Sequence, residues 1–232
     1  MQAYYEHVFS QQLLASLKCL ESTTWSIEHM QKVGLFAQAE QGQTSLLLAL
    51  LHMVEYSGSI TIDGREIRTV PRDVLRSRIT TITQHSFELR GSVRNNLDPF
   101  SIIRPYFSDV DLVTMLQRVH LWRTVSDRGG LDADISSMRF TSAQMQLLSL
   151  ARGALHRRRA NTKIVLIDKA TSDLADNVDW EMQDFLDGEF ATCTVITVAD
   201  RLSIIHTADV VMAMQAGHVG AVVEVDYLAN TS

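Results

Sequence analysis

Two cysteines, Cys19 and Cys193, are too few for a disulfide framework, and neither sits in a CxxC pair of the kind that binds zinc. A reducing compartment is the default expectation. Long apolar runs are also missing. The longest strongly apolar run, Leu46–Leu51, has six residues, whereas a membrane helix takes about 20. No direct membrane span is expected, and no secretory leader is visible at the start. Any work at a membrane is therefore expected to run through a partner. Positive charge is scarce: 21 Lys and Arg stand against 27 Asp and Glu, for a net charge of −6. Phosphate contacts along a duplex demand many cations, so nucleic acid is not an expected partner. The basic run Arg157-Arg158-Arg159, preceded by His156, is expected instead to close a helix, where cations suit the dipole. One further absence is local. The segment Ala37-Gln38-Ala39-Glu40-Gln41-Gly42-Gln43-Thr44 has nearly the frame of a phosphate-binding loop, Gly-x4-Gly-Lys-Ser/Thr. Ala37 stands in place of the first glycine and Gln43 in place of the lysine, while Glu40 adds an anion. Only Gly42 and Thr44 fit.

What is present is an ordinary folding composition. Apolar residues make up 46 % and charged residues 21 % of 232 residues, enough for one substantial core or a core with a small lobe. Lys32–Phe36 reads as a short strand. A leucine-rich helix opened by Thr44 follows, apolar almost all round and therefore expected to be buried. Residues 57–64 alternate and close on Asp63-Gly64, a hairpin signal. With Ile79–Thr83, read as another outer strand, they suggest a small β-lobe. Leu112, Met115, Leu116 and Val119 form a helical stripe within 108–122, and residues 143–156 form a second helix. Lys163–Asp168 is a continuous apolar run, as a parallel strand covered on both faces requires. Trp180–Leu186 fits a helix, and Thr194–Val198 and Val210–Met214 add core strands. The alternation predicts an α/β fold around a parallel sheet. Ligands in such folds lie beyond the carboxyl ends of the strands, where the 37–44 loop, Asp168 and Asp200 fall.

Several phrases then occur in a familiar order: Ser57–Gly64, Arg76–Ile79, Gly91–Phe100, Leu147–Ala154, Ala170–Ser172 and Thr194–Thr197. Over roughly residues 31–225 the chain resembles the nucleotide-binding domain of ABC transporters, and more closely the second such domain of the C, or multidrug-resistance-associated, subfamily. The resemblance implies a P-loop NTPase-like parallel sheet core, a small antiparallel β-lobe and a helical subdomain at about 100–156. Residues 1–30 would belong to the lobe, and 226–232 would form a tail. It implies that Ala37–Thr44 takes the Walker A position and Gln84 the Q-loop glutamine. Phe140, Thr141, Ser142, Ala143 and Gln144 take the place of the signature, and Ile164–Asp168 is the Walker B strand. Lys169 stands where the family has its catalytic glutamate, and Asp200 where it has the switch histidine.

These replacements set the functional expectation. A working loop surrounds phosphates with backbone N–H groups and neutralises them with lysine. Gln43 carries no charge, and Glu40 places a carboxylate near the polyphosphate. Thr44 and Asp168 keep the oxygens suited to Mg2+, with Gln84 as a third candidate; Thr44 reads equally as a helix cap, and Asp168 as a solvated strand-end acid. A protonated Lys169 cannot accept a proton from water; it is either a phosphate-attracting cation or an ordinary surface lysine. Asp200 brings further negative charge. No catalytic set is intact. The expected function is a degenerate ABC ATP-binding domain or fragment, with weak or absent binding of ATP and Mg2+ and little or no hydrolysis. Its expected partners are transmembrane domains and a second nucleotide-binding domain, head to tail, on the cytoplasmic side of a membrane. The alternative is a non-enzymatic regulatory or protein-interaction domain built on the same scaffold.

Overall fold

The computed structural model describes residues 25–36, 42–84, 86–100, 105–201, 205–215 and 218–224. The expectations for residues 1–24, for Ala37–Gln41 and for the tail at 226–232 lie outside them. The chain divides into two compact units. One comprises residues up to Thr81, Thr162–Lys169 and the chain from Thr192 onward; the other comprises Ile82–Asn161 and Ala170–Ala191.

The first unit holds the sheet. Strands β1 (Lys32–Phe36), β4 (Ile79–Ile82), β5 (Ile164–Asp168), β6 (Thr194–Ala199), β7 (Val210–Gln215) and β8 (His218–Glu224) run in the order β4-β5-β6-β1-β7-β8. β5, β6, β1 and β7 pair in parallel, with Asp168 opposite Val198 and Phe36 opposite Ala199. β8 returns antiparallel on β7. The expected parallel α/β core is therefore present. The apolar runs occupy its middle, where a strand covered on both faces has no polar side to show. Helix α1 (Gln43–Leu50) buries Leu46, Leu47 and Leu48, and Leu51 beyond its end, against Val33, Leu35, Leu166, Ile196 and Met212.

The small lobe is the hairpin β2 (Thr61–Ile62) and β3 (Arg65–Glu66), paired antiparallel. Its turn residues Asp63 and Gly64 have φ of 50° and 73°. Two positive values are what the right-handed twist of a two-residue hairpin requires. Ile79–Ile82 is corrected in its placement. It is a buried strand of the large sheet rather than part of the lobe. Its four residues are all buried, which an outer hairpin strand would not be. Helix α2 (Arg72–Ser77) precedes it.

The second unit is helical: α3 (Val93–Leu97), α4 (Asp109–Arg118), α5 (Trp122–Asp127), α6 (Ile135–Met138), α7 (Ser142–Ala160) and α8 (Asp176–Glu189). α4 starts at a capping box in which Ser108 and Asp111 satisfy each other's backbone N–H. The predicted stripe Leu112, Met115, Leu116 and Val119 is fully buried. α7 ends at Asn161 in the left-handed conformation, with the three arginines in its last turn. Two of them also pair with carboxylates, Arg158 with Glu189 at 2.6 Å and Arg159 with Asp98 at 2.8 Å. Among the described residues no helix is long and apolar enough to cross a membrane.

Candidate functional site

The carboxyl ends of three neighbouring strands carry the predicted residues of the first unit. β1 ends at Phe36, just before the 37–44 segment. β5 ends at Asp168, and β6 at Ala199, followed by the exposed Asp200. In-register pairing through β6 sets these three ends side by side.

The start of α1 supplies the rest. Gly42 caps the helix in the left-handed conformation, φ 101°, with no side-chain cap. This turn is tolerated because glycine has no Cβ to collide with the carbonyl. Gln43 follows and is 3 % exposed. Thr44 lies one residue inside the helix, so it does not take the cap position that its hydroxyl also suited. Instead its Oγ1 donates to Oδ2 of Asp168 at 3.2 Å, across 124 positions of sequence. Asp168 is 2 % exposed. It is a buried strand-end carboxylate rather than a solvated one.

Lys169 is half-buried and turns sharply out of β5. Its φ is +46°, and its N–H is anchored on the carbonyl of Val198 at 3.1 Å. A lysine in the left-handed region is uncommon and mildly strained. The bond to β6 holds it there, immediately after the acid that meets Thr44.

The remaining predicted positions belong to the second unit. Gln84 is half-buried just beyond β4. Phe140–Gln144 forms the entry to α7. Thr141 is its N-cap: its Oγ1 accepts from the N–H of Gln144 at 3.2 Å, and Gln144 Oε1 accepts from the N–H of Thr141 at 3.1 Å. A signature-like phrase thus also satisfies the helix start by itself. Beside it, Ser142 Oγ donates to the Asp173 carboxylate, and Gln146 Oε1 accepts from the N–H of Asp173 at 3.0 Å. This tie between the start of α7 and residues 172–173 has no local sequence signal, since its partners lie 27 to 31 positions apart. Ala37–Gln41 lies outside the described residues.

Mg2+ takes hard oxygen ligands, usually one or two carboxylates or hydroxyls plus substrate phosphates. The Thr44–Asp168 pair fits that role: two oxygens are already within 3.2 Å of each other. Among the described residues no group of three or more His, Cys, Asp or Glu is placed to hold a metal by itself. The remaining ligands would have to come from a bound phosphate or from water. The buried, uncharged Gln43 fits a polyphosphate less well than the lysine the loop pattern calls for.

A family model described as ABC transporter matches residues 20–172, more than half of the chain. The chain is 35 % identical over 86 % of its length to "ABC multidrug transporter B" of Aspergillus fumigatus. It is 36 % identical over 86 % to "Probable multidrug resistance-associated protein lethal(2)03659" of Drosophila melanogaster. It spans only 13 % and 14 % of the length of those proteins. Among solved structures, a bacterial Atm1-family ABC exporter with ATP bound superimposes with a TM-score of 0.77 over 88 % of this chain and 35 % of that one. At 19 % identity that likeness concerns the fold. With the six-stranded sheet, the hairpin lobe, the helical unit and the Thr44–Asp168 pair in hand, these matches place the chain in the ABC transporter family, as a nucleotide-binding domain related to the multidrug-type members.

Proposed function

We propose that this chain is a degenerate ABC nucleotide-binding domain, with weak or no ATP binding and little or no hydrolysis. Its motif phrases are nearest to the second ATP-binding domain of the C subfamily. We assign residues 31–225 to that domain, with a helical part at about 100–156. The observation that carries the reading is the contrast at the head of α1. Thr44 and Asp168 stay together at 3.2 Å, while the buried side chain between Gly42 and Thr44 is an uncharged glutamine.

The residues would act as follows. Thr44 and Asp168 would hold Mg2+, with Gln84 as a further ligand by resemblance; the ion would supply charge neutralisation to the phosphates. Gln43 offers a hydrogen-bond donor without a charge, so the developing negative charge on a transferring phosphoryl group gains little there. Lys169 replaces the residue that would accept a proton from water, and an ammonium has no lone pair to do so. Asp200 is exposed beyond β6 and brings like charge to the same edge. Transport would need transmembrane domains and a second nucleotide-binding domain, head to tail, on the cytoplasmic face of a membrane. The names and lengths of the relatives support such partners.

Titration calorimetry with Mg-ATP tests the reading, alongside a phosphate-release assay on homogeneous protein. We expect saturation at millimolar ATP or no heat at all, with phosphate release at background. Micromolar binding with sustained turnover would refute it. A complete absence of heat favours the alternative, a regulatory or interaction domain on the same scaffold.

A further inference from the structure

The carboxyl end of α1 departs from the usual way of ending a helix. Met53 donates to the carbonyl of Leu48 at 2.8 Å and His52 to that of Ala49 at 2.9 Å. The residue at this turn takes the left-handed conformation, a place that glycine usually fills. Here it is His52, with φ of 50°. Nδ1 of its ring is closed off from solvent and has no hydrogen-bond partner. Backbone and ring both carry a cost, and an orphaned polar atom of this kind marks a place for an ion or a water.

The surroundings of His52 are positive. Arg76 of α2 is 5 % exposed and donates to the carbonyls of Leu51 at 3.1 Å and His52 at 3.2 Å. It thereby satisfies oxygens at a helix end that would otherwise repel an anion. Arg72 lies four residues earlier on the same face of α2. It is exposed, and among the described residues no carboxylate pairs with it. Tyr56 joins this group to the hairpin. Its ring meets the His52 ring edge-on at 6.2 Å and carries the Arg68 guanidinium 4.1 Å from its centroid. Arg68 also donates to the carbonyls of Gly58, at 2.9 Å, and of Tyr56. A carbonyl orients a guanidinium without cancelling its charge. Two carboxylates stand nearby. Glu55 is exposed, while Glu66 already accepts from the hydroxyls of Tyr56, at 3.1 Å, and Ser59. Burial, then Arg72, pushes the His52 imidazole below its ordinary pKa; Arg76 and Arg68 add to this, and Glu55 opposes it.

We propose that His52, Arg68 and Arg72 form a binding site for a phosphate-class anion, either a free phosphate ester or the headgroup of an anionic phospholipid. Arg72 grips the anion with its planar fork of donors. His52 donates from its ring, and Arg68 supplies a charge fixed in place by Tyr56. The site lies wholly in the first unit, about 12 Å along α1 from Thr44, and the proposal is independent of whether ATP binds.

The test follows the His52 ring signal by NMR during titration with inorganic pyrophosphate, with chloride at matched ionic strength as the counter-probe. His52→Asn identifies the signal and keeps a residue that accepts the left-handed turn. We expect a saturable shift with pyrophosphate alone, weakened about threefold to tenfold in Arg72→Ala. Arg72 is exposed, and an unchanged thermal melt checks the fold. Sulfate keeps its charge in mild acid, so its affinity should rise as pH falls from about 7.5 to about 5.5 and His52 gains a proton. Phosphatidylcholine vesicles with and without phosphatidic acid separate the two sources: Arg72-dependent sedimentation with the acidic vesicles assigns a headgroup, and a response to pyrophosphate alone assigns a free phosphate. The proposal is overturned if neither pyrophosphate nor the acidic vesicles bind, if chloride moves His52 equally, if Arg72→Ala behaves like the unmodified chain, or if acid leaves sulfate affinity unchanged.

Discussion

Thr44→Val removes one hydroxyl and keeps the shape of the side chain, so it isolates the bond that joins α1 to β5. The bond is 3.2 Å long and ends on a carboxylate that is 2 % exposed. Hydrogen bonds to charged groups contribute about 1.5–3 kcal/mol net. The length is at the long end for an O–H donor, which places this one near the bottom of that range, about 1.5 kcal/mol. Valine cannot replace the donor, and water has little access to the buried acid, so most of the loss should be felt. For a chain of this size the melting temperature should fall by roughly 3–6 °C. Urea denaturation with and without Mg2+ and ATP measures both aspects. Without ligand the midpoint should drop. With ligand, any Mg2+-dependent stabilisation of the parent chain should vanish in the variant, because the same hydroxyl would serve the ion. A cycle with Asp168→Asn should then show a coupling energy of about 1 kcal/mol, since the two positions share one interaction. A loss below about 0.5 kcal/mol, with coupling near zero, would refute the claim that this pair is formed and buried.

Glu189 is held between Arg118 and Arg158 at 2.6–2.7 Å, with its own side chain 4 % exposed. The two arginines are 37 % and 41 % exposed, so Glu189→Gln should cost about 2–3 kcal/mol, less than a fully buried pair. Burial pushes the Glu189 carboxyl up, but the hydrogen bonds from Arg158 and Arg118 outweigh it and leave it below its ordinary value. Its contribution is therefore complete above the unfolded pKa of about 4.3 and is lost as pH falls through the lower folded value. The gap between parent and variant melts should stay constant from pH 7 to about 5 and shrink only in acid. Two helical glycines should respond with opposite sign in thermal melts. Gly153→Ala would place a Cβ 2.6 Å from Cγ1 of the buried Ile82 and should destabilise by about 1–2 kcal/mol, whereas Gly188→Ala meets nothing within 4 Å and should stabilise by up to about 1 kcal/mol. Gln43→Lys should raise Mg-ATP affinity in calorimetry by about tenfold, since one added charge interaction is of kcal/mol size; equal affinity in both forms would refute the proposal that the uncharged Gln43 limits nucleotide binding.

Much of the scaffold is legible along the chain because its signals are local. Asp63-Gly64 marks the hairpin because both residues tolerate the positive φ that this tight two-residue turn takes. The run Ile164–Ile167 marks a covered strand by having no polar side. The Thr141–Gln144 spacing writes a capping box into the sequence, and the box is made. Ile79–Ile82 is different. Its four residues fit an outer strand or an inner one, and only pairing in the large sheet assigns it. His218–Glu224 was not read as a strand, for its alternation is weak and its partner β7 decides its conformation.

The sequence by itself determined the α/β class, the order of the motifs and where residues 37–44 depart from the phosphate-loop pattern, because helix and strand periods and residue identities need no partner to be read. Tertiary structure alone decided that Thr44 turns to Asp168 rather than capping its helix, and that Asp168 is buried. Those facts depend on contacts between residues far apart in the chain, and burial and electrostatics take their values only once those contacts are made.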